Sequence, residues 1–253
     1  MSSWNRAAKI YAKPKINIPF YYDVSNSSDI SILFLNVLGA YIYSQKQNEK
    51  CTLYDPLGFI PLSIKYNPQL KSLKEIPEGV DTLNQQSLIS ITNLMKFADI
   101  FKYAQDLFQY TPDFNRSIVQ VLEKASIRAA FDIGIHISTD DLQYYADTIK
   151  EYQRKSKKPK LSIYVRADTY DIVSDFQKLC DPSWKLTSLS KFPADTGASM
   201  TFRDLAEVQI FAVLSAAILD FSNPLDKFIY LMQRNPKGFE FFREINGLSW
   251  TLF

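Results

Sequence analysis

The chain has a single histidine, His136, among its 253 residues. A Ser-His-Asp triad could draw only on that one base, and a zinc site with two or more histidines cannot be assembled. Glycine is also scarce, with 7 in all. Glycine-rich phosphate loops are missing, and CxxC, HExxH, GxSxG and Walker lysine motifs do not occur. The two cysteines, Cys51 and Cys180, cannot form a disulfide framework and point to a reducing compartment. An excess of one charge is lacking too: 29 basic residues face 27 acidic ones, for a net charge of +2. That balance argues against a dedicated nucleic-acid binder. The longest apolar candidate, Ile210 to Ile218, falls short of the roughly 18 residues of a membrane span. Met1 to Ile10 carries no apolar run of signal-peptide length, so a cytoplasmic protein without an integral membrane segment is expected.

What is present is the composition of a folded protein, 46% hydrophobic and 22% charged. The length suits one large domain or two compact ones. Ile16 to Tyr22 reads as a short or edge strand because Pro19 interrupts it. An apolar helix is predicted from Ile30 to Gln45, followed by a strand from Cys51 to Tyr54, together a parallel βαβ unit. Prolines 61, 68 and 77 weaken the signal between Leu57 and Gly79. Helical spacing of Leu88, Ile91, Leu94 and later Ile100, Ala104 and Phe108 predicts a helix over Ser87 to Tyr110. Thr111-Pro112-Asp113 caps the next, which runs to about Ser126.

The second half alternates regularly. Strands are predicted at Ala130–Ile137, Leu161–Val165, Trp184–Leu189 and Ile218–Phe221. Helices are predicted over Asp140–Arg154, Tyr170–Leu179 and Phe202–Ala217, with another opening at Pro224 and an aromatic-rich one over Gly238–Ile245. Such alternation gives a parallel sheet with helices on both faces. The basic run Arg154 to Lys160 falls between a helix and a strand and reads as a solvated turn.

In open parallel sheets, ligands bind beyond the carboxyl ends of the strands. Three polar tips are expected there: Gly134-Ile135-His136-Ile137-Ser138-Thr139-Asp140, Arg166-Ala167-Asp168, and Asp220-Phe221-Ser222-Asn223. Ser222 or Asn223 can cap a helix whose first position is Pro224, and a helix amino terminus suits a phosphate. His136 at a strand end could bond a base or ribose, or be a core histidine satisfied by backbone.

Over residues 128–253 these motifs resemble those of the GT-B fucosyltransferases, the group of α1,6- and protein O-fucosyltransferases. Their Gly-x-His-x-Arg motif is similar to Gly134-Ile135-His136-Ile137-Ser138. Their Ala-Thr-Asp strand end resembles Arg166-Ala167-Asp168. Their acidic helix and Phe-Ser-Ser tip resemble Ala206-Glu207-Val208-Gln209 and Phe221-Ser222-Asn223. The resemblance implies an α/β protein of two Rossmann-like lobes, an acceptor-side lobe at 1–125 and a nucleotide-sugar-binding lobe at 126–253. It implies that His136 and Glu207 face the guanine of a GDP-sugar. Ser222 and Asn223 would contact the β-phosphate, Ser138 would stand in the diphosphate region, and Asp168 would lie near the ribose or sugar. No cofactor or metal is expected; the partners are a GDP-sugar donor, GDP-fucose or a relative, and a glycan acceptor.

The implied activity is transfer of fucose or a related sugar, with inversion, to a glycan hydroxyl. The catalytic base is not identified; Asp140, Asp141 and Asp168 are candidates. Ser138 replaces the family's arginine, and a hydroxyl cannot supply a guanidinium's bidentate contact. Arg166 or Arg203 could compensate from a neighbouring loop. A catalytically weakened or inactive nucleotide- or glycan-binding homologue is the alternative. A third reading is an assembly module using Phe239, Phe241, Phe242 and Trp250 as a partner surface.

Overall fold

The computed structural model describes residues 20–23, 30–48, 51–55, 63–65, 70–73, 82–83, 95–127, 130–191, 200–234 and 240–241, with Asn67 and Glu75 singly. Two parallel sheets organise the chain. The first orders its strands β3-β2-β1-β4, with β1 at Phe20–Asp23, β2 at Cys51–Tyr54, β3 at Leu70–Leu73 and β4 at Thr82–Leu83. Helix α1, Ile30–Gln47, connects β1 to β2, so the βαβ unit forms as predicted. β1 is short, at 4 residues, as expected, and is not an edge strand. It pairs with β2 on one side and β4 on the other.

Helix α2 spans Phe97–Leu107 and α3 spans Pro112–Lys124. The helix predicted over Ser87–Tyr110 is corrected at both ends: Lys96 is extended and precedes α2, which stops at Leu107, and Tyr110 bridges to Ile64, while residues 87–94 lie outside the described residues. Thr111 accepts the Phe114 N–H through its hydroxyl at 3.3 Å, with Pro112 in the first turn of α3, as the capping reading requires.

The second sheet runs β7-β6-β5-β8-β9, all parallel. Its strands are β5 Ile133–Ile137, β6 Leu161–Ala167, β7 Trp184–Thr187, β8 Ala216–Ile218 and β9 Glu240–Phe241. The helices between them are α4 Leu142–Ser156, α5 Tyr170–Leu179, α6 Met200–Phe211 and α7 Pro224–Leu231. Two expectations are corrected. The helix predicted to reach Ala217 stops at Phe211, and the strand begins at Ala216 because Ala217 and Ile218 pair with Gly134 and Ile135. The helix predicted over Gly238–Ile245 is instead a strand at 240–241, where Glu240 and Phe241 find ladder partners in β8. Trp250 and Phe242 lie outside the described residues.

Strand periodicity sorts the second sheet into two faces. Ile133, Ile135 and Ile137 pack with Tyr145, Ile149 and Phe176 of α4 and α5. Gly134 and His136 face the other way, towards α6 and α7. Gly134 is needed there: a Cβ would meet Phe211 Cε1 at 2.5 Å and Leu214 Cδ1 at 2.6 Å. Helices from both halves share the apolar core on this side. Phe228 of α7 lies 5.3 Å from Phe34 of α1 and 5.2 Å from Phe108, ring centre to ring centre. Among the described residues, no helix is long and apolar enough to cross a membrane.

Candidate functional site

In chain order the second sheet reads third, second, first, fourth, fifth. The strand order therefore reverses between β5 and β8, the position beyond whose carboxyl ends open parallel sheets take their ligands. Ser138 lies just beyond β5, and Asp220, Ser222 and Asn223 lie beyond β8. One chain of polar contacts connects both lips. Ser138 Oγ donates to Asp220 Oδ2 at 3.1 Å, and Ser222 donates to Asp220 Oδ1 from its hydroxyl at 2.7 Å and its backbone N–H at 2.9 Å. The Asp220 N–H donates to Asp226 Oδ2 at 2.6 Å, and Asp226 Oδ1 lies 2.7 Å from His136 Nδ1.

His136 and Asp226 are both buried. With the carboxylate ionised, the proton sits on Nδ1 and Nε2 is the unprotonated nitrogen. Among the described residues, the histidine is thus fixed by a carboxylate and not by backbone. Sequence reasoning did not single out Asp226. Its signal was an acidic residue in the first turn of a helix, which the helix dipole alone would explain.

A second polar group lies on the same face. His136 is register partner to Arg166 on β6. The Arg166 guanidinium lies 3.1 Å from Asp204 through Nη2 and 3.2 Å from Glu207 Oε2 through Nε. The latter is an ion contact off the line of a directed hydrogen bond. Glu207 Oε1 accepts from Tyr164 Oη at 2.9 Å. Burial opposes the Arg166 charge, but Glu207, Asp204 and Asp226 together hold the guanidinium above its ordinary range. Burial, and then the Glu207 carboxylate, push the Tyr164 phenol well above its own.

The expected site residues therefore fare differently. His136, Ser138, Ser222 and Glu207 lie in one region, joined through Asp220, Asp226 and Arg166. Glu207 is 1% exposed and both its oxygens are engaged within the protein. Asn223 caps α7, its Oδ1 accepting the Leu225 N–H at 2.9 Å, so one of the backbone donors expected to face a phosphate is already used. Asp168 is exposed just beyond β6. Of the other candidate bases, Asp141 caps α4 by accepting the Tyr144 N–H, and Asp140 is exposed. Arg166 is committed to its acids. Arg203, in the first turn of α6, donates to Ser190 Oγ at 3.0 Å, and Ser190 donates to the Ala167 carbonyl at the end of β6. That places its guanidinium at the rim. The basic run 154–160 sits at the opposite end of the sheet, where Lys155 pairs with Glu151 and Lys158 with Asp132. Among the described residues, no cluster of three or more His, Cys, Asp or Glu side chains could hold a metal ion.

No model of a protein family matches the sequence, and no curated protein matches it. Solved structures do match. The fucosyltransferase NodZ from Bradyrhizobium superposes with a TM-score of 0.55 at 10% identity, over 85% of this chain and 93% of that one. NodZ α-1,6-fucosyltransferase co-crystallised with GDP gives 0.56, and the same enzyme soaked with GDP-fucose gives 0.58, at the same identity and coverage. At that identity what is shared is the architecture: the chain has the GT-B fold seen in the fucosyltransferases.

Proposed function

We propose that the protein is a glycosyltransferase that binds a GDP-sugar, GDP-fucose or a relative, in the crevice between β5 and β8. It would transfer the sugar to a glycan hydroxyl with inversion. The observation that carries this reading is the single polar chain from Ser138 through Asp220 and Asp226 to His136, which joins segments far apart in sequence at the strand-order reversal. The NodZ structures solved with GDP and with GDP-fucose support the choice of donor. Residues 126–253 would hold the donor and residues 1–125 would face the acceptor. His136 would offer Nε2 to the base, Ser222 and Asn223 would hold the β-phosphate, and Asp168 would approach the ribose or sugar. Glu207 would reach the guanine only if Arg166 or Tyr164 gave way.

Rate enhancement in such a site comes from orienting donor and acceptor and from stabilising the charge on the departing diphosphate. Arg203 is the rim cation suited to the second task, because a guanidinium offers several donors and one is in use among the described residues. Asp140 or Asp168 could take the acceptor proton. The reaction in this reading needs no bound metal.

A second reading is favoured by one observation. Ser138 and Ser222 donate to a carboxylate of the protein, which suits a nucleotide-binding homologue with weakened or no transfer. Calorimetric titration with GDP, followed by a GDP-release assay with GDP-fucose, separates the readings. Absence of GDP binding at millimolar concentration removes both. Binding without turnover over a panel of glycan acceptors selects the second.

A further inference from the structure

The tips of β5 and β8 already hold a carboxylate between them, and it belongs to the protein. Asp220 follows β8 and is 5% exposed. Donors from both lips converge on it: the Ser138 hydroxyl on Oδ2, and the Ser222 hydroxyl and N–H on Oδ1. Two hydroxyls and a backbone N–H around one pair of oxygens form the kind of cradle that receives a phosphate. Among the described residues no cation pairs with Asp220, and the partners it has there are neutral donors. Behind it stands a second carboxylate, Asp226, bonded to the Asp220 N–H.

We propose that Asp220 sets the affinity of this crevice for phosphate-bearing ligands, by holding with the protein's own negative charge the donors that a phosphate would use. The inference rests on the nucleotide-sugar reading above and deepens it. A diphosphate entering between Ser138 and Ser222 must displace the carboxylate or lie beside it. Like charges a few ångströms apart in a partly buried site repel strongly, whereas the same charge on the open surface is screened. The uncharged part of the ligand is indifferent to this term.

The test titrates GDP, guanosine and inorganic pyrophosphate into the wild-type protein, Asp220→Asn and Asp171→Asn. Asparagine keeps the shape: its oxygen can still accept from Ser222 and its amide can donate to Ser138. Asp220→Ser serves as a second uncharged variant should Asp220→Asn not melt cooperatively. Asp171, exposed in the first turn of α5, controls for a mere change in net charge. The expected result is GDP and pyrophosphate binding tighter by about ten-fold or more in the Asp220 variants, with guanosine unchanged and Asp171→Asn near wild type. Equal or weaker GDP binding in both Asp220 variants, or an equal gain in Asp171→Asn, overturns the inference and leaves the nucleotide reading standing. If neither GDP nor guanosine binds any of the proteins, the nucleotide reading fails and the inference with it.

Discussion

His136 and Asp226 form a buried pair at 2.7 Å that ties the first strand of the second sheet to the helix following the fourth. The second oxygen of Asp226 holds the Asp220 N–H, so one carboxylate fixes both the histidine and the turn bearing the β8 tip. Asp226→Ala would leave two buried donors without an acceptor, and the expected loss of stability is about 3–5 kcal/mol. Asp226→Asn retains one acceptor oxygen for two donors, so about 1–3 kcal/mol is expected. Urea unfolding monitored by tryptophan fluorescence gives the order; equal stability of wild type and alanine variant would show that the pair holds nothing together.

Arg166 and Glu207 make the complementary case on β6 and α6. Glu207 is buried, and Tyr164 alone cannot neutralise it. Arg166→Met therefore strands a charge, with an expected cost of about 3–5 kcal/mol. Glu207→Gln in that background removes the stranded charge and should recover part of the loss. A double-mutant cycle in denaturant measures the coupling, and strict additivity of the two changes would refute it.

The second sheet was legible because its strands are apolar runs separated by amphipathic helices, and its tips are where polar residues interrupt those runs. β3 and β4 were not, since Leu70–Leu73 and Thr82–Leu83 are too short and too polar to show a period. The end of α6 was misplaced because Ile210 to Leu219 is apolar but for Ser215. Periodicity cannot divide such a run between helix and strand. At the site, His136, Ser138, Glu207 and Ser222 were named from a motif. Of their partners, Asp220 was named only as part of a polar tip, and Asp226 and Tyr164 were given no role, because no spacing rule connects residues brought together across a sheet. The commitment of Glu207 to Arg166 and Tyr164 is a tertiary fact of the same kind.

Cys180 supplies a pH dependence with a defined sign. Its thiol donates to the Phe176 carbonyl at 3.2 Å, and burial pushes its pKa up to about 12, with nearby Lys150 acting weakly in the other direction. In the unfolded chain a cysteine ionises near about 8.5. The native state thus keeps a proton that the unfolded state releases, and this contribution to stability is present below about pH 8.5 and lost as pH rises towards 12. Other groups titrate in that range, so the quantity to read is wild type minus Cys180→Ala. The difference in urea midpoint should shrink steadily from pH 8 to pH 11. A difference that stays constant with pH would mean that the thiol ionises equally in both states.

Ser138 offers the sharpest comparison with the fucosyltransferase motif, which carries arginine there. Because Ser138 Oγ lies 3.1 Å from Asp220 Oδ2, a guanidinium introduced at 138 starts beside a carboxylate. The two would form an ion pair, and the donors meant for a diphosphate would be consumed inside the protein. Ser138→Arg alone should therefore change GDP affinity little. With Asp220→Asn the guanidinium has no internal acid to satisfy, and its bidentate face becomes available to the ligand. The double variant should bind GDP more tightly than the product of the two single effects, by about ten-fold for a coupling of about 1.4 kcal/mol. Calorimetric titrations of the four proteins complete the cycle. If Ser138→Arg alone gives the full gain, Asp220 does not compete for the cation, and the close contact between the two lips is not what sets the charge of the crevice.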